Sequence, residues 1–302
     1  MYHLSAREGG FPVLGTSPSA VGPLVARRYR GRVHSEPTQD GPPPTEGAGS
    51  GPPNPREVLT RPAPAPDRTV AYGDHPDQVV DLRLPAPGHP DRPPVVVIHG
   101  GFWRAEYDRR HTDPLAADLA SRGWPVIQLE YRRTGTPDGA WPATFEDVAA
   151  ALATLPRLTG LKQAPLLLGH SAGGHLALWW AGRHRTARGV VALAPVADLA
   201  AAHAQDLDRG AVVALLGGDP AAVPDRFQYA QPAVPPHVPV TVIHGDQDQQ
   251  VPMAISQAWV AAARAAGGDV ALLALPGVEH FGLIDPRSSA WPAVVRTIVG
   301  HC

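Results

Sequence analysis

Three residues far apart in the chain, Ser171, Asp248 and His280, are of the types that nucleophilic catalysis needs. A serine hydroxyl attacks only when a base takes its proton, and the base works when an acid holds it in one tautomer. Ser171 sits in Gly169-His170-Ser171-Ala172-Gly173-Gly174, directly after the apolar run Pro165-Leu166-Leu167-Leu168. The G-x-S-x-G spacing in that context predicts a strand, a sharp turn carrying the serine, and a helix through the Ala-, Leu- and Trp-rich stretch from His175 to His184. Glycine on either side tolerates the strained turn, and Gly173-Gly174 would let the helix lie close to its strand. The hydroxyl would then stand at a helix N-terminus, where partial positive charge favours a developing oxyanion.

The partners follow in chain order. After the apolar run Pro239 to Ile243 comes His244-Gly245-Asp246-Gln247-Asp248-Gln249-Gln250-Val251-Pro252, and after Val270 to Leu275 comes Pro276-Gly277-Val278-Glu279-His280-Phe281. His280 is the candidate base and Asp248 the candidate orienting acid, with Asp246 as the alternative acid or as a cap for its own turn. The order Ser, Asp, His is that of one open α/β sheet, with each member just past a strand's carboxyl end. Charge on a substrate carbonyl oxygen would meet backbone N–H groups of Gly101 and Phe102, in His99-Gly100-Gly101-Phe102-Trp103, and of Ala172. His99 reads as a structural hydrogen-bonding residue at its strand end. Trp103, Tyr107 and Phe281 are candidate pocket residues, and Trp141 and Tyr229 could join them.

Composition excludes other chemistries. The net charge of −2 over 302 residues leaves no basic surface for nucleic acid. Lys162 is the sole lysine, and the sole cysteine, Cys302, is terminal and excludes thiolate clusters and internal disulfides. Neither H-x-x-x-H nor H-E-x-x-H occurs, and there is no phosphate-loop or dinucleotide fingerprint, so no metal or cofactor is expected. No apolar run reaches the ~20 residues of a membrane span, and no apolar stretch follows the Arg27-Arg28-Tyr29-Arg30 cluster as a secretory signal would require. A cytoplasmic location is expected; the oligomeric state is not legible.

Residues 1–67 are crowded with Pro and Gly and have no helical or strand period, so a disordered extension is expected there, with the catalytic domain over 68–302. Beyond it, short β-branched runs alternate with helical patterns. They include Val79 to Leu84, Pro94 to Ile98, a helix near Asp113 closed by Gly123, Pro125 to Glu130, and a helix opened by Thr144 and ended by Pro156. Gly189 to Ala194, a helix from Pro252 to Ala266 and a last helix from Ser289 to Val299 continue the rhythm. The alternation implies an α/β fold, a doubly wound, mostly parallel sheet of about eight strands. Pro195 to Val238 interrupts it as a helical insertion over the sheet.

The quoted motifs, over roughly residues 69–300, resemble those of the α/β-hydrolases, close to the bacterial esterase/lipase group that also contains kynurenine formamidase-like enzymes. Tyr131-Arg132-Arg133 departs from the Tyr-Arg-Leu-Ala-Pro of many hormone-sensitive-lipase relatives. The resemblance implies hydrolysis of a small to medium ester, through an acyl-enzyme on Ser171, or, in the formamidase branch, of an N-formyl amide; a peptidase-like amide hydrolase is the further enzymatic alternative. A hydrolase fold reused as a non-catalytic binding protein is the reading from a different class.

Overall fold

The computed structural model describes residues 54–89 and 91–302. Its β-branched and leucine-rich runs form β1 (Arg68–Ala71), β2 (Val79–Arg83), β3 (Val95–Ile98), β4 (Val126–Leu129), β5 (Leu166–His170), β6 (Gly189–Leu193), β7 (Val240–Gly245) and β8 (Val270–Leu275). They make one sheet in the order β1-β2-β4-β3-β5-β6-β7-β8. The β1/β2 and β2/β4 pairs are antiparallel, and the other pairs are parallel.

The two faces bury different residues of the same strand, as the period of two demands. Val96 and Ile98 of β3 pack in one apolar cluster, and Val95 and Val97 in the other. The first cluster takes in α2 (Ala143–Thr159), α3 (Ala172–Ala181), α7 (Met253–Ala265) and the insertion helices α4 (Leu199–Ala204), α5 (Ala211–Leu216) and α6 (Pro224–Ala230). The second takes in α1 (Asp113–Ser121) and α8 (Trp291–His301). Because β3, β5, β7 and β8 run parallel, the segments after them emerge along one edge of the sheet, and this brings the candidate residues together.

Three details differ from the sequence reading. The expected extension lies outside the described residues up to 53, but residues 54–67 are not free tail. Pro55–Thr60 is a 3-10 turn whose Val58 is 0% exposed within the second cluster. A single buried valine among prolines carries no periodic signal, so composition hides this anchor. Pro156 does not end α2; the helix continues to Thr159 and stops at Gly160, whose φ is +71°. A proline so near the last turn removes only one donor. Thr144 does not cap α2 either, since its hydroxyl donates to the Arg132 carbonyl at 2.6 Å.

Candidate active site

Ser171 joins β5 to α3 with φ +55° and ψ −118°, a conformation that costs free energy in any non-glycine residue. The surroundings hold it there: its N–H donates to the Leu193 carbonyl at 2.8 Å, and its own carbonyl accepts from His175 N at 3.0 Å. A Cβ at Gly173 would lie 2.0 Å from the Ile98 carbonyl oxygen, and one at Gly169 would lie 2.3 Å from that of Gly173. Only glycine at these two positions lets α3 settle against β3 and β5, which fixes where the serine stands.

Beyond β7, the carboxylate of Asp248 is gripped from three directions. Oδ1 accepts the amides of Gln250 at 2.8 Å and Val251 at 2.9 Å. Oδ2 lies 2.6 Å from His280 Nδ1 and 3.2 Å from His244 Nε2. Burial alone would raise its pKa, but the bonds from His244 and His280 outweigh it and hold the carboxyl well below the usual carboxylate range. Asp246 instead accepts the Gly277 amide at 2.8 Å, tying its loop to the turn after β8 rather than capping its own turn, and takes no part in holding His280. With Nδ1 of His280 engaged by Asp248, Nε2 is the ring nitrogen left to take a proton.

Ser171 and His280 line one cavity, of about 70 Å³, together with Gly101, Phe102, Tyr107 and Phe281. Among the described residues the serine hydroxyl makes no hydrogen bond to His280, whose contact is with Asp248. The loop after β3 is unusual: Gly101, Phe102 and Trp103 have φ of +101°, +50° and +57° in succession. At Gly101 a Cβ would lie 2.3 Å from that of Tyr107. Among the described residues, the amides of Gly101 and Phe102 donate to no carbonyl, and Ala172 N opens α3, where a first-turn N–H has no intrahelical partner.

One pocket expectation is corrected. Trp103 is 0% exposed and does not line the cavity; its ring packs edge-on against His175 at 5.2 Å. That long-range packing is something the residue type could not reveal. Trp141 and Tyr229 pack on each other at 5.1 Å, away from the cavity. His99 anchors the loop, as expected, with Nε2 2.8 Å from Glu130 Oε1 and its ring stacked on Tyr131 at 4.4 Å. Burial opposes the charge of Glu130, but His99, Arg133 and the Arg109 amide prevail and bring its pKa down to about 2.

Other participants were not read from the sequence. His244 stands four residues before Asp248, and that spacing was the signal available for it. His170 also lines the cavity, with Nε2 3.1 Å from the His280 carbonyl. Burial, then the neighbouring His280 and His111, push its pKa well below the ordinary histidine value. Arg56, Leu59, His111, Asp208 and Gln250 complete the lining.

The sequence profile of BD-FAE matches residues 80–262, more than half of the chain. The chain belongs to the BD-FAE family. The matched stretch contains Ser171 and Asp248 and ends before His280. Among curated relatives, esterase LipQ of Mycobacterium tuberculosis is 30% identical over 221 residues, 65% of this chain and 51% of that protein. Kynurenine formamidase of Danio rerio is 30% identical over 108 residues, 36% of each chain. The chain thus spans between 36% and 51% of these two relatives' lengths. In structure it is similar to a truncated carbohydrate esterase from gut microbiota, with a TM-score of 0.67 at 19% identity over 78% of this chain and 97% of that one. It is also similar to esterase B from Lactobacillus rhamnosis, with a TM-score of 0.65 at 24% identity over 82% and 87%. The BD-FAE chain therefore has the α/β-hydrolase fold of the esterase group, as its motifs suggested.

Proposed function

We propose that this BD-FAE chain is a serine hydrolase of carboxylic esters that works through an acyl-enzyme on Ser171. The observation that carries the reading is the 2.6 Å contact between His280 Nδ1 and Asp248, on a cavity that Ser171 also lines. His280 Nε2 takes the proton as the Ser171 oxygen bonds to the ester carbonyl carbon. The amides of Gly101, Phe102 and Ala172 receive the negative oxygen. His280 then gives the proton to the departing alkoxide, and water repeats the cycle to release the acid. Asp248, anionic throughout, holds the imidazole tautomer and steadies its positive charge.

Cleavage of an N-formyl amide is the second reading, favoured by the similarity to kynurenine formamidase. Side-by-side assay of N-formylkynurenine and short aryl esters decides between the two. Ser171→Ala tests both: turnover of p-nitrophenyl acetate should vanish while circular dichroism is unchanged. Retained turnover would refute the assignment. A fluorophosphonate should label Ser171 in the folded wild type, whereas a non-catalytic binding protein would resist it.

A further inference from the structure

The cavity around Ser171 is narrow, about 70 Å³. Ordinary small-molecule pockets run to roughly 300–1,000 Å³. Two larger grooves flank this one, of about 490 Å³ and 340 Å³. The larger shares Leu59, Tyr107 and His111 with the cavity; the smaller shares Arg56, Gln250, His280 and Phe281. On each side, therefore, one wall comes from the turn Pro55–Thr60, which precedes the sheet and lies outside the stretch the family profile matches.

That turn is firmly held. Asn54 Oδ1 accepts the Arg56 amide at 3.0 Å, and Val58 is wholly buried. Arg61, just past it, grips Asp285 with two prongs, Nη2 to Oδ2 at 2.8 Å, and the Arg56 guanidinium lies 4.9 Å from the Phe281 ring centre. A buried valine and a two-pronged ion pair make the turn part of the cavity's frame.

In an acyl transfer, the base that deprotonates the nucleophile also protonates the leaving atom, so the leaving group departs on the His280 side. The groove shared with His280 fits that group. The acyl substituent then projects the other way, toward Tyr107, His111 and Leu59. We infer that Leu59 is a specificity-determining residue, the wall that confines the acyl group to formyl or acetyl and closes the cavity off from the 490 Å³ groove. This rests on the hydrolase reading above and adds to it a limit on acyl length set by a segment upstream of the sheet. Cutting Leu59 back to alanine joins cavity and groove and admits long chains.

The test compares kcat/KM for p-nitrophenyl acetate and p-nitrophenyl octanoate in the full chain. Wild type should prefer acetate, and Leu59→Ala should raise the octanoate-to-acetate ratio about tenfold or more, the scale on which apolar pockets discriminate chain length. Leu59→Met, which restores the bulk, should return the ratio toward wild type. Arg61→Ala, which frees the turn without touching the cavity wall, should move the ratio the same way as Leu59→Ala and guards against a misfolded first variant. An unchanged ratio in both, or a wild type that takes octanoate as readily as acetate, overturns the inference. A wild type that turns over acetate but shows either result leaves the hydrolase reading standing; one that turns over neither ester defeats that reading and this inference with it.

Discussion

At the scale of single residues, Asp248 shows how one carboxylate is kept anionic inside a protein. Two amides, His244 and His280 together overcome the cost of burying it. The amide in Asp248→Asn cannot hold the imidazole in the working tautomer, so kcat for aryl acetates should fall by roughly 10⁴ with the fold retained. Steady-state kinetics beside thermal unfolding checks both halves. The candidate serine, acid and base were legible because each follows a short apolar run, and three such coincidences in one order are rare by chance. Trp103 was misread for a complementary reason: an aromatic in a loop after a strand looks like pocket lining, and only its long-range packing on His175, 72 residues on, shows that it belongs to the core.

At the scale of elements, the turn between β5 and α3 depends on a contact of backbone with backbone. Gly173→Ala would place a methyl group against the Ile98 carbonyl, where no side chain can yield. The expected loss is about 1–3 kcal/mol, the range found for overpacked cores, visible as a lowered unfolding midpoint. Fluorophosphonate labelling should fall in parallel as Ser171 shifts. Strands β2 to β8 were legible from short β-branched or leucine-rich runs, and so was the insertion between β6 and β7, from its broken rhythm; β1, an edge strand exposed at three of its four residues, was not. The turn Pro55–Thr60 was not, because its partner Asp285 lies 224 residues from Arg61 and neither residue advertises the other. Long-range ion pairs leave no local pattern.

At the scale of the whole molecule, the interior carries several neutral imidazoles. Burial, with some repulsion from His99, lowers the pKa of His111 to about 3; burial alone as the leading cause brings His175 to about 4, and His170 is lowered too. In the unfolded chain these rings take up protons below about pH 6.5, whereas the folded protein does not. The unfolded state then binds more protons, so stability rises with pH between about 4 and 6.5 and falls on acidification, by roughly 1.4 kcal/mol per pH unit for each ring. Glu130 acts in a lower window, from about 4.5 down to about 2, where its depressed pKa makes acid cost further stability. Urea unfolding at pH 7.0, 6.0 and 5.0 should show the midpoint dropping at each step; a flat profile would contradict the buried neutral state.

The mouth of the cavity is finished by residues that come before the first strand, while the sheet and the candidate serine, acid and base come after it. On the inference drawn above, chemistry and selectivity would be written in separable stretches of polypeptide. Exchanging Asn54 to Arg61 as a block would then offer a route to new substrate ranges with all three of those side chains kept.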